Sequence, residues 1–384
     1  MKRILIIGVG AQGSTIAKRL NEESNVKEII CADYDLKAAA AVGDSLSKGK
    51  TIQLDAREFR HVVEAAKGVD IIVNGLPIEF NLIIMEAALE VGAAYLDLCM
   101  TEIPRKTAEE STRYLFSIHD DKFKGKELLA LTNTGSAPGL ANVIARESTD
   151  KLESCEAIKI FVYEGVQAKR FLPFWWSPEV AYADMNDAAY IFENGRIVET
   201  ESFSRPIWIK FRGFDQEIRL VEHAHDEPVT LGLMADQYLK GAKHVWFKYG
   251  GVGIDFAEPL YRMGLLSNQL IDVNGTRIIP RDVALKLTPP APKYEREIKE
   301  ILDEGLEADT GAFLIRVEGV KDGKKVQIDN YVNAPTCVEA FNKSGLTGET
   351  YLTGQCGSLF TKMFVNDKIT QTGLFPPEVL DASQ

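Results

Sequence analysis

The chain has 384 residues, with 44 Lys and Arg against 56 Asp and Glu, a formal net charge of −12. At about 150 residues per domain this length suggests two domains, enough to bury a full core without disulfide or metal staples. The acidic balance argues against a phosphate-backbone binder, so no nucleic-acid partner is expected. No apolar run approaches the roughly 18 residues of a membrane span, so no membrane role is expected either. The five cysteines (Cys31, Cys99, Cys155, Cys337, Cys356) are scattered, with no CxxC pair and no zinc spacing. Free thiols in a reducing cytoplasm, and no metal, are the expectation.

In chain order, Ile4 to Ile7 is a short apolar run without alternation, which suits a parallel strand buried on both faces. A Gly-rich turn follows, then a helix from Ser14 to Leu20. Strands are expected at Glu28–Ala32, Thr51–Leu54, Asp70–Val73, Ala94–Asp97 and Leu128–Leu131. Helices over 36–46, 57–66, 80–91 and 106–124 alternate with them. Such alternation means a parallel sheet covered on both faces. After Pro138-Gly139 and one helix over 139–150 the pattern changes. Longer aromatic-rich strands run from Ala157 to Glu164, Arg205 to Arg212, Gln216 to Val221 and His244 to Tyr249. Without helices between them, they read as an antiparallel sheet with one bare face. A Pro-rich joint at 287–292 precedes a charged helix over 294–305. Strands near 312–320 and 324–332 meet at Asp322-Gly323, a hairpin pair. The last helix is expected around 356–366. The fold class is therefore α/β: a Rossmann doubly wound parallel sheet (1–138) plus an α+β substrate and dimerisation domain with a mainly antiparallel sheet (139–335). Residues 336–384 are expected to pack back on the first domain.

One motif carries the functional argument. Gly8-Val9-Gly10-Ala11-Gln12-Gly13 is GxGxxG, placed directly between a strand and a helix. Gly8 allows the tight turn, Gly10 clears space for a pyrophosphate, and Gly13 lets helix and strand pack closely. Ala11 and Gln12 open the helix, whose free N–H groups favour phosphate. Asp33 follows Gly13 by 20 residues, where a carboxylate accepts hydrogen bonds from ribose hydroxyls. A 2′-phosphate would meet Asp33 and Asp35 with no adjacent Arg, so NAD is expected over NADP. Lys37 is the one residue that can rescue NADP. Asp55, Asn74, Gly75 and Leu76 end the third and fourth strands and are further cofactor candidates; Asp55 and Asn74 equally suit helix-capping or Asx-turn roles.

The chain resembles the saccharopine dehydrogenase-like family, which includes lysine 6-dehydrogenase and carboxynorspermidine dehydrogenase. The marks are GVGAQGS at 8–14, NGLP at 74–77, AAYLDLC at 93–99, SAPGLAN at 136–142, WSPE at 176–179, EPVTL at 227–231, GLL at 264–266 and GLFPPE at 373–378. Their order and spacing cover nearly the whole chain. The resemblance implies an oxidoreductase moving hydride between nicotinamide and a C–N bond of an amino acid or amine, through an imine. That chemistry needs a base for the nitrogen proton. Asp97, at a strand's carboxyl end, is the first candidate, with Tyr95 beside it on the substrate side; a loop-fixing role for Asp97 stays open. His225, in His223-Ala224-His225, is a second candidate for proton relay.

Trp176 closes an aromatic stretch from Phe171 and is a candidate wall over the substrate, or else core or dimer interface. Saccharopine-forming reductases, as the resemblance goes, carry an Arg just after the WSP element. Here Glu179 stands there, with Asp184 and Asp187 following. A carboxylate suits an amine rather than a second carboxylate. This favours a lysine-like or polyamine-precursor substrate. Arg170, Arg205 and Arg281 are possible carboxylate anchors. A non-catalytic NAD-binding regulator and saccharopine dehydrogenase proper are the alternatives. A 2-hydroxy-acid dehydrogenase would want a positioned His–carboxylate pair plus an Arg, and no such spacing stands out. A homodimer through the second domain is expected.

Overall fold

The computed structural model describes residues 1–99, 101 and 103–381. The chain forms two compact units, one of residues 1–147 and 350–384, the other of residues 148–349. Both limits fall beyond the sequence joints at Pro138-Gly139 and residue 335. The chain just past each joint stays tied to its own unit. Asn142 Nδ2 donates to Glu378 Oε2 at 3.0 Å in the first, and Cys337 N–H donates to Asp309 Oδ1 at 2.7 Å in the second.

The first unit opens with β1 (Lys2–Ile7), α1 (Ala11–Asn21), β2 (Val26–Asp33), α2 (Leu36–Gly43), β3 (Gly49–Gln53) and α3 (Phe59–Ala66). It continues with β4 (Ile71–Asn74), α4 (Asn81–Val91), β5 (Ala94–Asp97), α5 (Ala108–Tyr114), α6 (Asp120–Gly125) and β6 (Leu129–Leu131). All seven strands are parallel, in the order 373–375, β6, β5, β4, β1, β2, β3. Leu5, Ile7, Ala32 and Ile72 enter one core, and Ile4, Ile6, Cys31 and Val73 the opposite one. Each buried Leu, Ile or Val contributes about 1.5–3 kcal/mol, which is why these strands read as unbroken apolar runs. Chain order reverses between β1 and β4, so the loops after them form a crevice at the sheet's carboxyl edge.

Two helices differ from expectation. The span 106–124 is broken by a π-turn at Leu115–His119, where the buried His119 ring meets Glu86 Oε1 at 2.9 Å. The last helix runs over Gly348–Val365, longer than expected, because Gly354 and Gly357 are packing residues rather than breakers. A Cβ at Gly354 would come 2.6 Å from that of Thr15, and one at Gly357 would come 2.8 Å from Ile16 Cδ1, both on α1.

The second unit holds an eight-stranded sheet whose spine runs 196–200, 189–193, 244–251, 154–164, 311–321, 324–331. It is antiparallel except where His244–Gly251 pairs in parallel with Ser154–Glu164. Asp322 and Gly323 have φ of 51° and 71°, a two-residue turn that matches the strand twist. Helices at Pro178–Asn186 and Glu227–Leu233 fall between strands expected to follow one another directly, and Val252–Arg262 and Pro280–Leu287 follow them. Prolines at or near the first turn of several of them hid these starts.

Candidate active site

The glycine loop is shaped by two kinds of glycine. Gly8 has φ +84°, and a Cβ there would come 2.6 Å from Leu76 Cδ2. A Cβ on Gly13 would come 2.0 Å from the Gly8 carbonyl oxygen, and one on Gly75 2.6 Å from the same atom. These residues allow backbone to pack on backbone. Gly10 differs: a Cβ there would meet nothing within 4 Å. Its α-carbon faces an open cradle. Gly10 caps α1 without a side-chain hydrogen bond, and the first turn carries no acidic residue. The N–H groups of Ala11, Gln12 and Gly13 therefore present uncompensated positive charge. These residues fit the pyrophosphate of a dinucleotide, and the bound nicotinamide would supply the hydride acceptor.

Asp33 ends β2 beside this loop. Its Oδ2 accepts from Val9 N–H at 3.0 Å and its Oδ1 from Asp35 N–H at 3.0 Å, so the carboxylate cannot turn away. It lines a groove of about 310 Å³ with Tyr34, Asp55, Arg57 and Leu76. Arg57 is the residue that sequence reasoning missed. Its Nε donates to Asp55 Oδ1 at 2.9 Å, its Nη2 to Oδ2 at 2.6 Å, and its guanidinium lies 5.4 Å from the Tyr34 ring centre. The hydrogen bonds from Arg57 hold the Asp55 carboxyl down at about 2. Its place two residues after a strand-end carboxylate was the available signal. The expectation of no Arg near the ribose position is thereby corrected.

Asn74, Tyr95 and Asp97 lie beneath the crevice. Asn74 is 1% exposed, accepts from Leu76 N–H at 3.0 Å, and donates to Asn81 Oδ1 at 2.7 Å. It shapes the 74–77 turn from below. Tyr95 has no exposed surface, and its hydroxyl takes a long bond of 3.4 Å from Asn74. Burial, and then the Asp97 charge, hold its phenol well above the usual range. Its hydroxyl faces this inner network, not an open substrate surface. Asp97 is 1% exposed, and its Oδ1 accepts from Thr132 Oγ1 at 2.7 Å and Asn133 N–H at 2.9 Å. Those bonds fasten the loop after β6. β5 ends at Asp97, so Cys99 lies in the turn beyond rather than on the strand.

Trp176, Glu179 and His225 belong to the other unit. His225 has a built environment. Its ring stacks on Phe247 at 3.7 Å and 10°, and its Nδ1 pairs with Glu227 Oε2. Glu227 is fully buried. Burial pulls the imidazole pKa down, but Glu227, with Asp226 and Asp184 behind it, raises it overall above the usual value. Nδ1 is thus engaged, and the ring keeps one further nitrogen, Nε2, for proton exchange. This is the positioned His–carboxylate pair that the spacing did not reveal. Glu227 opens the EPVTL element, which was the available signal. The neighbouring His223 is buried; desolvation and the nearby His225 push it down to about 3. Among the described residues no group of three or more His, Cys, Asp or Glu is arranged to hold a metal.

Glu179 is an exposed first-turn acid that accepts from Ser177 Oγ at 2.8 Å. Trp176 hydrogen-bonds the Glu164 carboxyl, which in turn bonds Glu349; burial and the second carboxyl raise Glu164 well above the usual range. Arg170 pairs with Glu304, and Arg205 with Glu193. Arg281 Nε donates to the Leu266 carbonyl at 2.8 Å.

Residues 4–126 match the family described as the saccharopine dehydrogenase NADP binding domain. A carboxyaminopropylagmatine dehydrogenase of Synechocystis sp. is 25% identical over 397 residues, covering 99% of this chain and 93% of that one. A carboxynorspermidine synthase of Vibrio alginolyticus is 24% identical, covering 98% and 92%. The chain is similar to saccharopine dehydrogenase-like proteins, most specifically in its nucleotide-binding residues 4–126. Its fold is that of saccharopine dehydrogenase (L-Glu forming) from Saccharomyces cerevisiae, with a TM-score of 0.64 at 14% identity over 98% of this chain and 94% of that one. The homospermidine synthase of Legionella pneumophila, solved with NAD, gives 0.66 at 12% identity over 100% and 87%. Residues 4–126 thus carry an NAD(P)-binding domain of the oxidoreductase type, and the two relatives are named for carboxylated agmatine and norspermidine.

Proposed function

We propose that the substrate is a secondary amine with a carboxylate arm and a cationic polyamine- or guanidine-type arm, that NAD is the preferred cofactor, and that His225 exchanges the amine proton. The observation that carries the reading is the His225–Glu227 pair, with Asp184 and Asp226 adding negative potential around the ring. A carboxylate-rich surrounding favours a cation and disfavours a second acid. Glu179, exposed in the first turn of the 178–186 helix, is a further carboxylate of the same unit. Relatives named for carboxylated agmatine and norspermidine support the same substrate class. Trp176 and Glu179 are assigned to the substrate side on the same grounds. Asp97 is assigned to positioning the loop after β6, on the strength of its inward bonds.

Chemically, the amine nitrogen gives its proton to His225 Nε2 while the adjacent carbon gives up hydride, leaving a C=N bond. In the other direction the imine is protonated from the same ring and reduced. Glu227 fixes the ring and stabilises the imidazolium that forms. NAD preference is supported by Asp33, whose locked carboxylate repels a 2′-phosphate. A homodimer through residues 148–349 is supported by exposed apolar side chains such as Trp208 and Leu287. Five scattered cysteines without CxxC spacing support a reducing cytoplasm.

Nicotinamide absorbance, followed with carboxynorspermidine, carboxyaminopropylagmatine and saccharopine, tests the substrate class. Turnover of either polyamine-type compound well above saccharopine is expected. A preference for saccharopine would refute it. Sedimentation as a monomer at micromolar concentration would count against the dimer.

A further inference from the structure

Asp55 and Arg57 stand just past the carboxyl end of β3. Both side chains line the groove that also holds Asp33 and Tyr34. Arg57 is fastened to Asp55 by side-chain bonds of 2.9, 3.2 and 2.6 Å, and its own N–H donates to Asp55 Oδ1 at 3.0 Å. Its guanidinium lies over the Tyr34 ring, so it is already aimed along the groove. The pair faces solvent, with the Arg57 side chain 65% and the Asp55 side chain 27% exposed, so both charges are open to a ligand in the groove. A guanidinium binds phosphate in the same forked manner as carboxylate, and a dianion holds it better than one carboxylate does.

A ribose-bound phosphate in this groove would face two carboxylates, Asp33 and Asp55, and one guanidinium already engaged. Asp33 is held in place by two backbone N–H groups and cannot withdraw. Asp55 is therefore the removable half of the repulsion. Lys37, in the first turn of α2, is exposed and takes no part in the pair.

We infer that Asp55 and Arg57 form a second cofactor-discriminating element beside Asp33. Asp55 keeps Arg57 engaged and so disfavours a 2′-phosphate; freed from Asp55, Arg57 anchors that phosphate. The inference rests on the reading that this crevice holds an NAD-type dinucleotide.

Binding can be read without turnover. Full-length protein is titrated calorimetrically with ADP-ribose and with 2′-phospho-ADP-ribose, as wild type, Asp55→Asn, Arg57→Ala and the double variant. Asp55→Asn is near-isosteric on the surface and should fold. Wild type should favour ADP-ribose. Asp55→Asn should tighten the phosphorylated ligand by about tenfold or more, and ADP-ribose by less than about twofold. The double variant should lose that gain. If wild type favours ADP-ribose but Asp55→Asn gains nothing, or the gain survives removal of Arg57, the inference fails alone. If wild type favours the phosphorylated ligand or binds neither, the NAD reading fails with it.

Discussion

Two glycines three residues apart should respond to alanine in opposite ways. In Gly13→Ala the new methyl would arrive 2.0 Å from the Gly8 carbonyl oxygen. Both partners are backbone, so α1 must retreat from the β1 turn by more than an ångström. Overpacking of this kind costs about 1–3 kcal/mol. At about 2–4 °C per kcal/mol for a unit of this size, Tm should fall by roughly 3–10 °C. In Gly10→Ala the methyl meets nothing within 4 Å, and Gly10 already has φ −63°, which alanine adopts freely. The fold should hardly notice, with a Tm change under about 2 °C. The same methyl projects into the phosphate cradle, so ADP-ribose affinity should fall on the order of tenfold or more. Differential scanning fluorimetry and calorimetric titration separate the two effects. Equal loss of Tm in both variants, or unchanged ligand affinity in Gly10→Ala, would refute the division of labour between the glycines.

Glu227→Gln should lower kcat on the order of a hundredfold while leaving ADP-ribose affinity unchanged. Because Glu227 raises the His225 pKa and burial lowers it, the limb governed by His225 (the acid limb of amine oxidation, the basic limb of imine reduction) should move to lower pH in this variant; an unmoved limb would mean that Glu227 is only structural. His223, held at about 3 against 6.5 when unfolded, takes up its proton in the unfolded chain first. Stability should therefore be full above about pH 6.5 and fall by up to about 1.4 kcal/mol per unit as pH drops. Denaturant titration of His223→Gln should show a shallower acid slope. Asp97→Ala removes the acceptor for Thr132 and Asn133 and should cost about 1–3 kcal/mol in the first unit; an unchanged Tm would return Asp97 to the list of proton carriers.

Legibility followed the physics of each element. The parallel strands were plain because burial on both faces leaves unbroken runs such as Ile4–Ile7. The glycine motif was plain because its spacing is the mechanism. Asp322-Gly323 was legible as a turn, yet Asn194-Gly195 and Asn274-Gly275, which make turns of the same kind, went unused. The helices of the second unit were hidden by leading prolines and by aromatic residues shared with the strands. Asp97 shows a different limit. A strand-end carboxylate reads the same whether it faces a ligand or a loop, and only the bonds to Thr132 and Asn133 decide. His225–Glu227 was invisible for a related reason, since an i,i+2 pair has no spacing signature until the first turn of the 227–233 helix brings the carboxylate under the ring.

The central claim is hydride transfer at a carbon bearing nitrogen. The direct test is to incubate the enzyme with NADH deuterated at C4 and an imine formed in solution from an amino-acid aldehyde and a diamine, and to weigh the product by mass spectrometry. One deuterium is expected on the carbon of the new C–N single bond. Amine product free of deuterium with both C4 isomers, or no amine product while ADP-ribose still binds, would contradict it.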